Sequence, residues 1–175
     1  LHTKDGQLCD VMIDRAALTA LWQAGQKAEA PVLRDYAEAA VASADIRIAA
    51  RCQKTGKSEE FVRRALAPCG TLDTEALARA AAGGGTELQA YLRSASYGGA
   101  ADALDKSMSE FERWCDNQVI EAMKPQKHNP FSVGPLVAYA LARENEIKTV
   151  RIILSGKRTG MPEASIRERV REMYV

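Results

Sequence analysis

The spacing of hydrophobic residues is helical along almost the whole chain. A first helix is predicted over residues 10–26, and a second, longer one opens at Pro31 and reaches about residue 53. In this second helix the apolar positions recur every three or four residues: Leu33, Tyr36, Ala37, Ala40, Ala44, Ile48 and Cys52. No segment alternates polar and apolar positions long enough to be a strand. The predicted fold class is therefore all-α.

Turn and capping residues divide the rest of the chain into further helices. Thr86 followed by Gln89 is a capping-box pattern, which predicts a helix start. Gly98 and Gly99 are expected to interrupt the helices. The remaining predicted helices cover residues 58–66, 73–83, 86–94, 102–124 and 135–155, and a last one opens at Pro162.

Two segments of the chain have a similar order of features. Asp45-Ile46-Arg47 precedes a glycine turn and a short helix, and Glu146-Ile147-Lys148 does the same. A gap of three residues is needed to align the two turns. Chance similarity is common among helical sequences, so the similarity alone does not establish a repeat. We expect two helical lobes, one over residues 1–100 with this element at about 30–70, and a C-terminal one over residues 101–175.

Composition excludes several classes of function. Lys and Arg number 24 against 23 Asp and Glu, so the chain has no strong basic field for nucleic acid. No apolar run approaches the ~20 residues of a transmembrane helix, and no signal peptide is evident. Four scattered cysteines indicate reduced thiols in a cytoplasmic protein. His2 and His128 share no metal-ligand spacing, so neither a metal nor a cofactor is predicted. The start at Leu1 indicates a fragment.

Several charged residues lie in or beside the apolar stripes of the two long helices. An unpaired buried charge is unfavourable by several kcal/mol or changes its pKa. These residues should therefore form ion pairs that fix how helices pack, or lie at an interface, or face water. The alternative is a set of catalytic carboxylates. The candidates are Asp45, Arg47, Arg51, Glu144, Glu146, Lys148 and Arg151.

The turn at residues 55–58 resembles the end of a phosphate-binding P-loop. The full motif requires a glycine where this chain has Arg51, and it requires a preceding strand. One interpretation is an ATP site that uses Gly56 and Lys57. The other is a helix that ends at a glycine, followed by a helix that begins at Ser58.

The last third of the chain resembles a known family. Residues 137–157, followed by Gly160-Met161-Pro162-Glu163 and Ile166-Arg167-Glu168-Arg169, look like the C-terminal signature of the C subunit of bacterial and archaeal V-type ATP synthases. That family is the counterpart of the d subunit of eukaryotic V-ATPases. The segment from Asp45 to Gly70 resembles the family's earlier element of the same kind.

The resemblance implies a part of a funnel-shaped, all-helical protein of three similar lobes. Such a protein is non-catalytic and lies on the cytoplasmic face of the membrane, between the proteolipid ring and the central-stalk subunits. There it transmits torque for coupled ATP and ion transport. The alternatives are a generic helical adaptor and a nucleotide-binding enzyme that uses the Gly56-Lys57 turn.

Overall fold

The computed structural model describes residues 6–171, apart from the side chain of Lys127. His2 lies outside these residues. Within them the chain forms α-helices, one short 3-10 helix at Lys124–His128 and no strand, which confirms the all-α fold class. The α-helices are α1 Gly6–Lys27, α2 Pro31–Lys54, α3 Glu59–Ala65, α4 Thr74–Gly83, α5 Gly85–Ser94, α6 Gly98–Lys106, α7 Met108–Met123, α8 Gly134–Arg158 and α9 Glu163–Arg169.

Local capping explains most of the helix ends. The Asp73 carboxylate accepts hydrogen bonds from the backbone N–H groups of Glu75 and Ala76, both at 3.0 Å, and so begins α4. The Ser58 hydroxyl accepts one from Phe61 N at 3.3 Å at the start of α3. Because these signals are local, the sequence predicted the starts of both helices correctly.

Three predictions about helix ends were wrong. The expected helix over residues 102–124 is two helices, since Ser107 is extended and its hydroxyl caps α7 by accepting from Glu110 N at 3.0 Å. Gly98 begins α6 instead of interrupting a helix. At Gly99 a Cβ atom would lie 2.5 Å from Trp114 Nε1, so the packing of α6 on α7 requires glycine there. Thr86 lies inside α5, whose N-cap is Gly84.

The main core lies among α2 to α7. Its largest fully buried side chains come from five of these helices or the segment after α3, and they include Ile46, Val62, Leu66, Leu77, Leu88, Leu92 and Phe111. The predicted boundary between the two lobes, at residue 100, falls inside α6. Residues on both sides of this boundary belong to the same core. The two-lobe division stays a prediction.

Helix α8 joins the rest of the molecule through a smaller contact. Val32 of α2, Met123 of α7 and Ala138 of α8 form a second buried cluster. A short tail follows α9 and reaches Arg171. No helix in the described part of the chain has the length and apolar content needed to cross a membrane.

The units α2–α3 and α8–α9 have the same local structure. In each, a threonine hydroxyl at the end of the long helix donates to carbonyls three and four residues back, and a glycine with positive φ follows, at +62° in Gly56 and +69° in Gly160. The next amide then donates to the carbonyl five residues back, as in a Schellman motif. One constant spacing relates Pro31 to Pro135, Thr55 to Thr159, and Gly56 to Gly160.

This constant spacing corrects the sequence comparison of the two segments. The units align without a gap, and Thr149, not Glu146, occupies the position of Asp45. Both Asp45 and Thr149 are buried. In the same register Arg151 is the counterpart of Arg47.

Candidate functional site

The charged residues that the structure brings together lie between α2 and α7. Arg47 Nε is 2.9 Å from Glu112 Oε2, and Arg47 Nη2 is 3.0 Å from Asp116 Oδ1. Arg51 Nη2 donates to Glu112 Oε1 at 2.7 Å. The two arginines are four residues apart on α2, and the two carboxylates are four residues apart on α7. Residues at this spacing lie on one side of a helix, so the arginines and the carboxylates face each other. The result is a ladder of ion pairs along the contact.

This ladder continues into the tail after α9. Arg171 Nε donates to Asp116 Oδ2 at 2.6 Å, so Asp116 binds guanidinium groups from both α2 and the tail. Nearby, the Ser107 hydroxyl donates to Glu168 Oε1 of α9 at 2.6 Å. Side-chain exposure is 17% for Asp116 and 11% for Arg171, so solvent screens this contact only partly. Three separate stretches of the chain are therefore fixed at one carboxylate.

Electrostatics keeps Arg47 charged and the neighbouring Cys115 neutral. Burial alone would lower the pKa of Arg47, but Cys115, Asp116 and Glu112 together raise it above its ordinary value. Burial raises the pKa of the Cys115 thiol to about 12, against the lowering effect of Arg47. A thiol that stays protonated is not a nucleophile. The arrangement suits a structural contact.

Asp45 is buried without a charged partner. Its Oδ1 accepts a hydrogen bond from the backbone N–H of Ala67 at 3.0 Å, and its Oδ2 has no partner. Burial raises the pKa of this carboxyl to about 7; the Ala67 hydrogen bond and Arg15 lower it, while Glu38 raises it further. Asp45 thus fixes the segment after α3 onto α2.

In the described residues, the predicted residues of α8 form no ion pair with those of α2. Glu146 pairs with Arg143 one turn away on the same helix. Glu144 is exposed and contributes to a raised pKa of Tyr36, which is caused first by burial of that phenol. Lys148 and Arg151 are exposed, and neither has an ion-pair partner within residues 6–171. Apart from Asp45, the predicted set therefore divides into an ion-paired group on α2 and a mostly exposed group on α8 that forms no ion pair with α2 in the described residues.

A cleft of about 170 Å³ lies between α2, α7 and α8. Residues of both charge signs line it, including Arg47, Asp116, Glu144 and Lys148. No group of three or more His, Cys, Asp and Glu side chains in the described part of the chain is placed to hold a metal ion.

Sequence reasoning missed Glu112, Asp116 and Arg171. A signal was available for the first two, because they are four residues apart and flank Cys115 within the apolar stripe of α7. The criterion that selected Asp45 would have selected them as well. Arg171 has no such signal, because it follows the last helix and its partner is distant in sequence.

The turn at residues 55–58 has the geometry of two helix caps. The amide of Gly56 donates to Gln53 O at 3.2 Å, and that of Lys57 donates to Cys52 O at 3.0 Å. The Lys57 ammonium donates to Gln7 Oε1 at 2.7 Å and lies 4.9 Å from the centre of the Phe61 ring. The amides that a P-loop would point at phosphate are thus already bonded, which favours the capping interpretation.

Comparison with known proteins agrees with the resemblance. Residues 1–169 match the family model described as ATP synthase (C/AC39) subunit. A segment of 89 residues is 33% identical to the C subunit of the A-type ATP synthase of Haloquadratum walsbyi, covering 47% of this chain and 26% of that protein. The match spans about a quarter of that relative's length. No solved structure matches this chain significantly.

Proposed function

The chain belongs to the ATP synthase (C/AC39) subunit family, and from this premise we propose that it is a non-catalytic rotor subunit that links a membrane proteolipid ring to a central shaft. In this role it transmits torque between ion transport and ATP turnover. It would lie on the cytoplasmic side, peripheral to the membrane, in contact with the ring and the central-stalk subunits.

The observation that carries this proposal is the ladder of ion pairs from α2 through α7 to the tail after α9. A part that transmits torque must resist lasting displacement of its helices, because slippage between them would dissipate the applied work. Arg47, Glu112, Asp116 and Arg171 join three stretches of chain at partly buried positions, where ion pairs are screened less than at the surface. We assign these residues a stiffening role, and Asp45 the same role between α2 and the segment after α3.

The charged residues of α8 support a different assignment. Glu144, Lys148 and Arg151 are exposed, and Glu146 pairs within its own helix. We infer that they belong to a surface that meets another part of the assembly, and that the two predicted lobes are successive copies of one unit.

Coupling in the reconstituted rotary complex tests the proposal. We expect Asp116→Arg to lower ATP-driven ion transport per ATP hydrolysed, because the new guanidinium repels Arg47 and Arg171. Adding Arg47→Asp should restore the attraction and part of the transport, which shows that the ion pair and not Asp116 alone is responsible. Glu163→Gln, at an exposed pair within α9, is the matched control and should leave coupling unchanged. Unchanged transport in vesicles assembled without this protein would refute the rotor role.

ATP binding by the isolated chain tests the nucleotide-binding alternative. We expect no saturable binding in calorimetry, because the amides of residues 55–57 are already hydrogen-bonded. Saturable binding that disappears on Lys57→Ala would instead favour an enzyme.

A further inference from the structure

The outer face of α8 is apolar and exposed. Five large apolar side chains of this helix are between 48% and 69% exposed, namely Leu136, Tyr139, Ile147, Val150 and Leu154. At 3.6 residues per turn they lie within one narrow stripe, opposite the buried residues Ala138, Asn145 and Thr149. A continuous apolar stripe of this kind marks an interaction site.

Most of the same stripe on α2 is covered by protein; the exception is Asp35, the counterpart of Tyr139, which is exposed. The constant spacing between the two units makes Val32, Ser43, Ile46 and Ala50 the counterparts of Leu136, Ile147, Val150 and Leu154. None of these four residues of α2 is more than 4% exposed. The structure therefore contains one largely covered and one uncovered copy of the same surface.

Helix α7 packs on α2. Phe111 and Cys115 of α7 are fully buried in the core that contains Ile46 and Ala50. Beside this apolar contact, Glu112 and Asp116 bind Arg47. Arg151, the counterpart of Arg47 on α8, is exposed and has no partner in the described residues. The uncovered surface thus lacks both an apolar layer and a pair of carboxylates.

We propose that the outer face of α8 binds an amphipathic helix of a partner protein that places two carboxylates, four residues apart, opposite Arg151. That helix would pack on the apolar stripe of α8 and pair with Arg151, as α7 packs on α2 and pairs with Arg47. This surface lies apart from the ion-pair ladder, and its occupation does not depend on the rotor role.

The charges that flank the stripe favour such a partner over a second copy of this chain. Cations outnumber carboxylates along its edges, with Arg143, Arg151, Lys157 and Arg158 against Glu144 and Glu146. Two copies packed face to face would bring these cations together, and like charges are unfavourable at an interface. A helix with acidic edges is complementary instead.

Side-chain size further defines the partner helix. Ile147 and Leu154 are larger than their counterparts Ser43 and Ala50, so less room remains above α8 than above α2. A helix that approaches α8 as closely as α7 approaches α2 must therefore carry small residues at its centre. Alanine in place of Phe111 would meet this condition.

The probe for the test is a peptide of residues 107–124 of this chain, labelled with fluorescein and carrying Phe111→Ala. Asn117→Lys provides an amine that is condensed with the Glu121 carboxyl, with loss of water, to a lactam bridge on the side away from Glu112 and Asp116, which keeps the short peptide helical. We expect saturable binding to the whole chain by fluorescence anisotropy. Arg151→Ala should weaken it about tenfold, because a carboxylate pair loses its partner. Val150→Asp should abolish it, which assigns the binding to α8.

Two controls make the result specific. Arg79→Ala removes an exposed arginine from α4 and should leave the affinity unchanged. A peptide that also carries Glu112→Gln and Asp116→Asn should bind the unaltered chain about as weakly as the acidic peptide binds the Arg151→Ala chain.

Other outcomes would overturn the proposal. Absence of saturable binding, or equal affinity for the acidic and the neutral peptide, would do so. A dimer in sedimentation equilibrium that Val150→Asp dissociates would assign the surface to a second copy. Binding to anionic phosphatidylglycerol vesicles that Val150→Asp removes would assign it to a lipid surface.

Discussion

At the scale of single residues, one buried position is polar in both units, and in both it is only partly satisfied. Asp45 has one carboxylate oxygen without a hydrogen-bond partner, and Thr149 has a hydroxyl without one. A buried polar group without a partner lowers stability by about 1–3 kcal/mol. The two residues occupy the same place in two helices, yet only the aspartate can also titrate.

Asp45 makes the stability of the chain depend on pH. Its pKa is about 7 in the folded chain against 3.8 for the ordinary group, so between these values the folded state keeps a proton that the unfolded state releases. Stability should therefore fall as pH rises from about 4 to about 7, by about 4 kcal/mol from this group. Asp45→Asn keeps the acceptor for Ala67 N–H and cannot ionise. We expect the free energy of unfolding of this variant not to show that fall between pH 5 and pH 8, as measured by urea denaturation. An equal fall in both proteins would contradict the buried carboxyl.

Thr149 offers the opposite experiment. Thr149→Val has nearly the same shape and removes the unpartnered hydroxyl, so the free energy of unfolding should rise by about 1 kcal/mol. Thr159→Val is the matched control, since it removes a hydroxyl that donates to Ser155 O at 3.0 Å, and should destabilise. Urea denaturation at one pH measures both, and a destabilised Thr149→Val chain would show that the hydroxyl has a partner.

At the scale of helices, Ser107 is the capping residue that depends on distant parts of the chain. Its hydroxyl accepts from Glu110 N and donates to Glu168 of α9, whereas Ser58 only accepts, from Phe61 N. Ser107 therefore both begins α7 and joins α7 to α9.

The two caps should differ in their effect on stability. Ser58→Ala loses one cap and should lower the free energy of unfolding by about 1 kcal/mol. Ser107→Ala should lower it by about 2 kcal/mol, because the bond to Glu168 is lost as well. Thermal unfolding followed by circular dichroism measures both variants, and equal losses would show that the bond to Glu168 does not stabilise the chain.

The same contrast explains what the sequence could predict. Pro31, Asp73 and Ser58 act on neighbouring residues, so their helix starts could be read directly. The break at Ser107 and the helix at Gly98 depend on Glu168 and Trp114, which lie elsewhere in the sequence. In the candidate site, a charge in an apolar stripe could be recognised. Its partner could not, because packing of α7 on α2 decides which carboxylates face Arg47 and Arg51.

At the scale of the whole molecule, Asp116 is the point at which distant stretches of chain meet. It binds Arg47 of α2 and Arg171 of the tail, which are far apart in sequence. Breaking a pair of this kind leaves two partly buried guanidinium groups without their carboxylate.

We expect Asp116→Asn to lower the free energy of unfolding by about 1–3 kcal/mol. Hydrogen exchange should rise in both α2 and α9, since both lose a tether. Glu163→Gln, at an exposed pair within α9, should change neither the stability nor the exchange of α2. An increase in hydrogen exchange confined to α7 would show that the ladder of ion pairs does not join the three stretches.

The repeated unit has a geometric consequence. If the helix that precedes each long helix, as α7 precedes α8, packs on the long helix of the unit before it, the contact is directional, and a linear series always ends with one uncovered long helix. Heterologous contacts of this type either close into a ring or leave one contact surface unoccupied at the end of the series. The terminal unit must then either meet the start of the series or be capped from outside.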